Sequence, residues 1–262
     1  MLPAGRALIV GNSDGIGLAL TRRLLAGGWT VAGLSRRPSP VQAAGYRHAV
    51  ADVAAADYRA ALEALQSSDG PFDACVYCAG IGELFDPHNL SREAEVVRVN
   101  LVGAIETASV VLPPMIAARH GHFLGLSSIG DGVSPAAPSY AASKAGMSSY
   151  LGGLALALRP RGVQVTNVRF GFVDTKLAKY PVRPFMITAD RAADVVVRCL
   201  QRPPRRRPAR LTYPWRMGAL VWVLDRLMSM RLWIMRAPRA PRPPRAPRAP
   251  RPPRPPRPPR TA

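Results

Sequence analysis

Short runs rich in Val, Ile, Leu and Ala alternate along this chain with longer stretches in which apolar residues recur at helical spacing. The first run is Arg6-Ala7-Leu8-Ile9-Val10, and the first helical pattern follows it in Leu18-Ala19-Leu20 and Leu24-Leu25. Apolar runs of about four to eight residues bounded by turn residues fit buried strands, whereas a period near ~3.6 residues fits helices laid on a sheet. The pattern predicts strands near 6–10, 29–34, 46–51, 73–78, 121–127, 163–170 and 210–213, with helices between them. Strands alternating with helices pair in parallel, because each crossover returns the chain in the same direction. The expected fold is α/β, a doubly wound parallel sheet with helices on both faces. Ligands of such sheets bind beyond the carboxyl ends of the strands.

The pattern changes near residue 200. Arg202-Pro203-Pro204-Arg205-Arg206-Arg207-Pro208 ends the helical periodicity, and Leu211-Thr212-Tyr213-Pro214 reads as a last strand. Residues 1–214 are therefore the expected folded domain, 215–235 an apolar helical segment rich in Trp, Met and Leu, and 236–262 an Arg/Pro-rich tail. Asp225 and Arg226 stand within the apolar segment, each costing about 2.5–3.5 kcal/mol at a bilayer centre, which argues against a membrane span. In helical projection Arg216, Asp225, Arg226 and Arg231 scatter round the circumference, so a clean interfacial helix is not expected either. A lid or wall of a ligand pocket, a subunit contact and peripheral membrane attachment are the three readings of this segment.

In the tail, arginine stands at every third position from Arg236 to Arg260, separated by Ala-Pro or Pro-Pro. Proline removes backbone donors, so the tail cannot join a core and is expected to be disordered. Polyproline II has ~3 residues per turn and ~3.1 Å rise, which would project the guanidinium groups from one face about 9 Å apart. With a formal net charge of +20 on the whole chain, residues 202–262 would be drawn to anionic surfaces such as acidic lipid, and to nucleic acid without sequence specificity. A low-complexity extension with no role of its own is the other reading.

Candidate chemistry lies in two places. Gly11-Asn12-Ser13-Asp14-Gly15-Ile16-Gly17 joins the first strand to the first helix. Glycines there let the backbone approach a pyrophosphate, and the helix N-terminus offers it free N–H groups and a partial positive charge. Farther on, Tyr140 and Lys144 lie one helical turn apart, so the ammonium stands beside the phenol. A nearby cation favours the phenolate and lowers the tyrosine from its usual pKa of ~10, which makes Tyr140 a candidate proton donor and acceptor.

With these two motifs the chain resembles the short-chain dehydrogenases/reductases over roughly residues 5–213. The resemblance implies a Rossmann-like fold, a nicotinamide cofactor at the glycine turn, and interconversion of a carbonyl and an alcohol. It also implies that Asp52-Val53 contacts adenine, that Ser128 is the catalytic serine, and that Gly171, Val173 and Thr175 border the nicotinamide. Asn100 matches a helix asparagine that orients a proton-relay water, while a buried asparagine that ties neighbouring segments is its second reading. Ser127 competes with Ser128, because the loop from 129 to 135 is short and Ser127 keeps the better spacing to Tyr140. Two positions depart from the family: Tyr77-Cys78-Ala79-Gly80 stands where Asn-Asn-Ala-Gly is usual, and Phe170-Gly171 replaces Pro-Gly. Cofactor contact at Cys78, Ala79 and Gly80 should therefore rest on backbone. The resemblance further implies a homodimer or homotetramer.

The turn after the second strand decides the cofactor. An acidic residue there would bind a ribose 2′-hydroxyl. Ser35, Arg36 and Arg37 instead suit a 2′-phosphate, which guanidinium groups hold through charge-assisted bonds. NADP(H) is expected to be preferred, with NAD(H) also admitted. The apolar C-terminal segment tilts the expected substrate toward a hydrophobic carbonyl or alcohol. A non-catalytic NADP(H)-binding regulator or scaffold, docking through the basic tail, is the alternative. Cys75 and Cys78 fall three apart on a strand and point to opposite faces, and His48, His88, His120 and His122 do not cluster, so no metal is predicted. Three cysteines and no secretory segment suit a reducing cytoplasm, with membrane-peripheral placement as a variant.

Overall fold

The computed structural model describes residues 4–177 and 183–234; the tail, with its expected polyproline arrangement, lies outside the described residues. Seven strands form one sheet: β1 (Arg6–Val10), β2 (Thr30–Ser35), β3 (Tyr46–Val50), β4 (Ala74–Tyr77), β5 (His122–Ser128), β6 (Gln164–Phe170) and, after a two-stranded ladder of β7 (Val173–Asp174) and β8 (Ile187–Thr188), β9 (Arg210–Tyr213). Their order is β3-β2-β1-β4-β5-β6-β9, and every neighbouring pair is parallel. Each of the seven expected strands is present within one residue of its expected ends. Order reverses between β1 and β4, which opens a crevice at their carboxyl ends.

Helices cover both faces. α1 (Gly15–Ala26) and α6 (Ala189–Leu200) pack through Leu20, Leu24, Val196 and Leu200 on Ile9, Val76 and Leu124. On the opposite face α2 (Tyr58–Asp69), α4 (Gly103–Ala118) and α5 (Pro138–Leu158) cover Leu8, Val10, Tyr77 and Phe123. Burial from both sides explains why the strands read as continuous apolar runs rather than alternating ones. Cys75 packs into the second layer and Cys78 against the first, on opposite faces as their spacing requires. The short α3 (Glu93–Val97) runs into α4 through one π-helical turn, Arg98–Val102. Glu93–Ala118 as a whole is long and apolar enough to cross a membrane, but Ala104, Ala108, Val111 and Met115 are core residues of this domain.

α7 (Trp215–Ile234) follows β9 directly and lies along the carboxyl edge of the sheet. Met217 is buried, and a β-carbon on Gly171 would come within 2.7 Å of its sulfur, so the helix rests on the end of β6. Asp225 turns inward and accepts the N–H of Val133 at 3.0 Å. Arg216 and Arg226 lie outward, 5.6 and 5.3 Å from the rings of Trp215 and Trp222. The charges of these three residues thus stand on different sides of the helix: the acid faces the domain and the two cations face away from it.

Candidate active site

The glycine turn is dictated by close approach. Gly11 has φ +85°, and a β-carbon there would fall 2.5 Å from the Ala79 nitrogen; one on Gly17 would fall 2.1 Å from the Gly11 oxygen. Only hydrogen fits at either place. Asp14 caps α1 by accepting the Gly15 N–H at 2.8 Å. It also pairs with Lys176 at 2.6 Å and Arg37 at 3.6 Å, and Lys176 first, then the Gly15 N–H, holds its carboxyl below the usual carboxylate range.

Of the residues expected to hold a cofactor, Gly11, residues 13–17, Ser35, Arg36, Arg37, Asp52, Val53, Cys78, Ala79, Gly80 and Thr175 line one groove of about 230 Å³. Arg36 stands 3.8 Å from Asp52 and is largely exposed. Ser35 donates its hydroxyl to the Arg37 carbonyl at 2.8 Å, which shapes the turn that carries both arginines. Asn12 departs from expectation. Its side chain is fully buried and donates to Tyr46 Oη at 2.7 Å, packed under Gly33 of β2, so only its backbone borders the turn.

Ser128, Tyr140, Lys144, Gly171, Val173 and Thr175 line an adjoining cleft of about 520 Å³, which shares Ile16, Cys78, Gly80 and Thr175 with the groove. Lys144 Nζ lies 5.8 Å from the centre of the Tyr140 ring and donates to the Leu126 carbonyl at 2.9 Å. Its burial disfavours the ammonium and lowers its pKa to about 8. The rest of the cleft is apolar, with Leu84, Ile129 and Val133 from loops, Phe170 and Phe172 from the end of β6, and Met217, Val221 and Leu224 from α7.

The two serines differ in what they bind. Ser127 is buried, donates to Asn167 Oδ1 at 2.5 Å and lies 3.2 Å from the Ser148 hydroxyl. Ser128 is half-buried, and its Oγ accepts the Gly130 N–H at 3.0 Å. Asn100 lines neither cavity. Its side chain bonds both ways with the Ile81 backbone, at 2.8 and 2.9 Å, and donates to Ser143 at 3.0 Å. Ser143 in turn donates to the Tyr140 carbonyl at 2.7 Å. The side chain of Asn100 therefore ties the segment that follows β4 to the helix that carries Tyr140.

Some supporting residues escaped the sequence reading. Tyr77 donates to the Val99 carbonyl at 2.5 Å and so anchors the π turn around Asn100; such turns recur at functional sites. Asp131 and Arg169 form a mostly buried ion pair, Ser148 donates to Asp131 at 2.7 Å, and Arg169 Nε reaches the Ser128 carbonyl at 3.3 Å. These contacts join residues far apart in sequence, and no local pattern announces them. Cys78 borders both cavities, but burial pushes its thiol up to about 12, so it is a packing group rather than a nucleophile.

A glycine-rich turn at the switch point of a doubly wound sheet, opening onto a cleft that holds a tyrosine and a buried lysine, defines a nucleotide-binding oxidoreductase. The chain belongs to the short chain dehydrogenase family, whose model matches residues 6–183. It is 30% identical over 229 residues to an uncharacterized oxidoreductase of Myxococcus xanthus, covering 81% of this chain and 88% of that one. A 3-ketodihydrosphingosine reductase of Bacteroides thetaiotaomicron is 34% identical over 173 residues, 64% of each chain. Among solved structures, a short-chain dehydrogenase of Streptomyces avermitilis superposes with a TM-score of 0.73 at 21% identity, covering 88% of this chain and 96% of that one. Members of this family use NAD(P)(H) and act on small carbonyl or alcohol compounds.

Proposed function

We propose that the protein is an NADP(H)-dependent oxidoreductase that interconverts a hydrophobic carbonyl compound and its alcohol, with Tyr140 as acid and base. The observation that carries this reading is the grouping of Ser128, Tyr140 and Lys144 in the apolar cleft that adjoins the glycine-turn groove. The groove suits a dinucleotide: its glycines sit where any side chain would collide, the N-terminus of α1 faces it, and Arg36, Arg37 and Lys176 stand at one end. Those three cations support NADP(H) over NAD(H), since a 2′-phosphate would compete for them with Asp14 and Asp52.

A nicotinamide dinucleotide bound along the groove would supply or accept the hydride. In reduction, the Ser128 hydroxyl donates to the substrate oxygen while its Oγ stays fixed by the Gly130 N–H. Tyr140 donates its phenolic proton to the same oxygen, and the Lys144 ammonium stabilises the phenolate left behind. Asn100, through Ser143, positions the backbone of Tyr140. The apolar walls exclude water and favour a hydrophobic substrate. The similarity to a reductase named for a ketone, 3-ketodihydrosphingosine, agrees with that direction of chemistry.

Fluorescence titration of the protein with NADPH and NADH, followed by turnover of apolar ketones, tests the proposal. Selective NADPH binding and a Tyr140→Phe loss of about 10²–10⁴ in kcat, with cofactor affinity kept, are expected. Failure to bind either nucleotide, or unchanged turnover in Tyr140→Phe, would overturn it.

A further inference from the structure

α7 has two faces of opposite use. Met217, Val221 and Leu224 line the cleft and Asp225 bonds to Val133, while Trp215, Trp222, Val223 and Met230 lie on the other side, flanked by Leu220 and Leu227. Trp215 is 69% and Trp222 62% exposed, a large apolar surface for a helix that is otherwise docked. The only cations described on that outer arc are Arg216 and Arg226, each stacked on a tryptophan, and the acid that would oppose them is turned inward.

Continuing along the chain, ten arginines and no acidic residue follow Arg226. We propose that the outer face of α7, together with this arginine-rich sequence, docks the protein on an anionic lipid bilayer surface. Indole rings with aliphatic neighbours suit the boundary between headgroups and acyl chains, and arginines beside them meet the phosphates. Two modest signals, an apolar helix face and a polybasic stretch, are what stable but reversible attachment requires. A second copy of the chain fits less well, because pairing these faces would bring two sets of arginines together. Nucleic acid would satisfy the charges but leave the aliphatic residues in water.

The test is flotation of the full chain with vesicles of phosphatidylcholine alone or with added phosphatidylglycerol, at low and high salt. Brominated acyl chains serve as quenchers of tryptophan fluorescence. We expect at least tenfold tighter binding to the phosphatidylglycerol vesicles, weakening with salt, and quenching that falls in Trp222→Phe. The full-length double variant Trp222→Glu, Leu227→Glu should bind at least tenfold more weakly with an unchanged melting curve. Equal binding to both vesicle types overturns the proposal, as does binding without quenching. Undiminished binding by the double variant would assign attachment to the arginines alone and also overturn it. No vesicle binding, with a dimer that the double variant dissolves, would give the face to a second copy.

Discussion

Ser127 and Ser128 are adjacent in sequence yet answer to different neighbours. Ser127 is held by Asn167 and Ser148, so Ser127→Ala should leave Asn167 with a second unsatisfied buried polar atom and cost about 1–3 kcal/mol of stability, with turnover largely kept. Ser128→Ala should reverse that pattern, lowering turnover about tenfold or more at nearly unchanged stability. Thermal melts beside steady-state kinetics on both variants check the assignment, and the opposite pattern would transfer the role to Ser127. Arg36→Asp should raise the Kd for NADPH far more than that for NADH, because it removes a phosphate partner and sets a second carboxylate beside Asp52; equal losses would refute the cofactor preference. Lys144 predicts a pH effect. Burial lowers its pKa from 10.5 to about 8, so the ammonium is present below that value and lost as pH rises through it. Without the charge the phenolate is less favoured, and the rate of carbonyl reduction should fall above about pH 8. A rate profile that stays flat through that range would show that the Lys144 charge does not assist the proton transfer.

Elements differ in how far their sequence announces them. The strands were legible because burial on both faces leaves only apolar residues, and a run of apolar residues needs no partner to be noticed. The glycine turn was legible because Gly11 and Gly17 answer to contacts that no other residue can make. The orientation of α7 was not legible. Its apolar residues occur all round the helix, and only the place of Val133 reveals which side Asp225 must face. That bond joins α7 to the loop after Ser128 across the cleft. Asp225→Ala should therefore loosen the wall and raise KM for an apolar substrate several-fold, leaving nucleotide affinity unchanged. Because the Val133 N–H can turn to water, the stability cost should stay near ~1 kcal/mol, measurable by denaturant titration. Unchanged KM would mean that α7 does not shape the substrate site.

At the scale of the molecule, the sheet gathers residues from five separate stretches at one edge, and α7 closes that edge while presenting tryptophans to solvent. Attachment to a bilayer would thus hold the wall of the cleft close to the lipid phase. Sequence alone determined the order of strands and helices, the glycine turn and the pairing of Tyr140 with Lys144, because each depends on residues within one element or one turn. Tertiary structure alone decided that Ser127 faces Asn167, that the Asn12 and Asn100 side chains bond to other parts of the protein, that Lys176 joins Asp14, and that Asp131 pairs with Arg169 beneath the serines. Hydrogen bonds and ion pairs of this kind depend on direction and on partners brought together from distant parts of the chain, and periodicity along a chain carries no record of either.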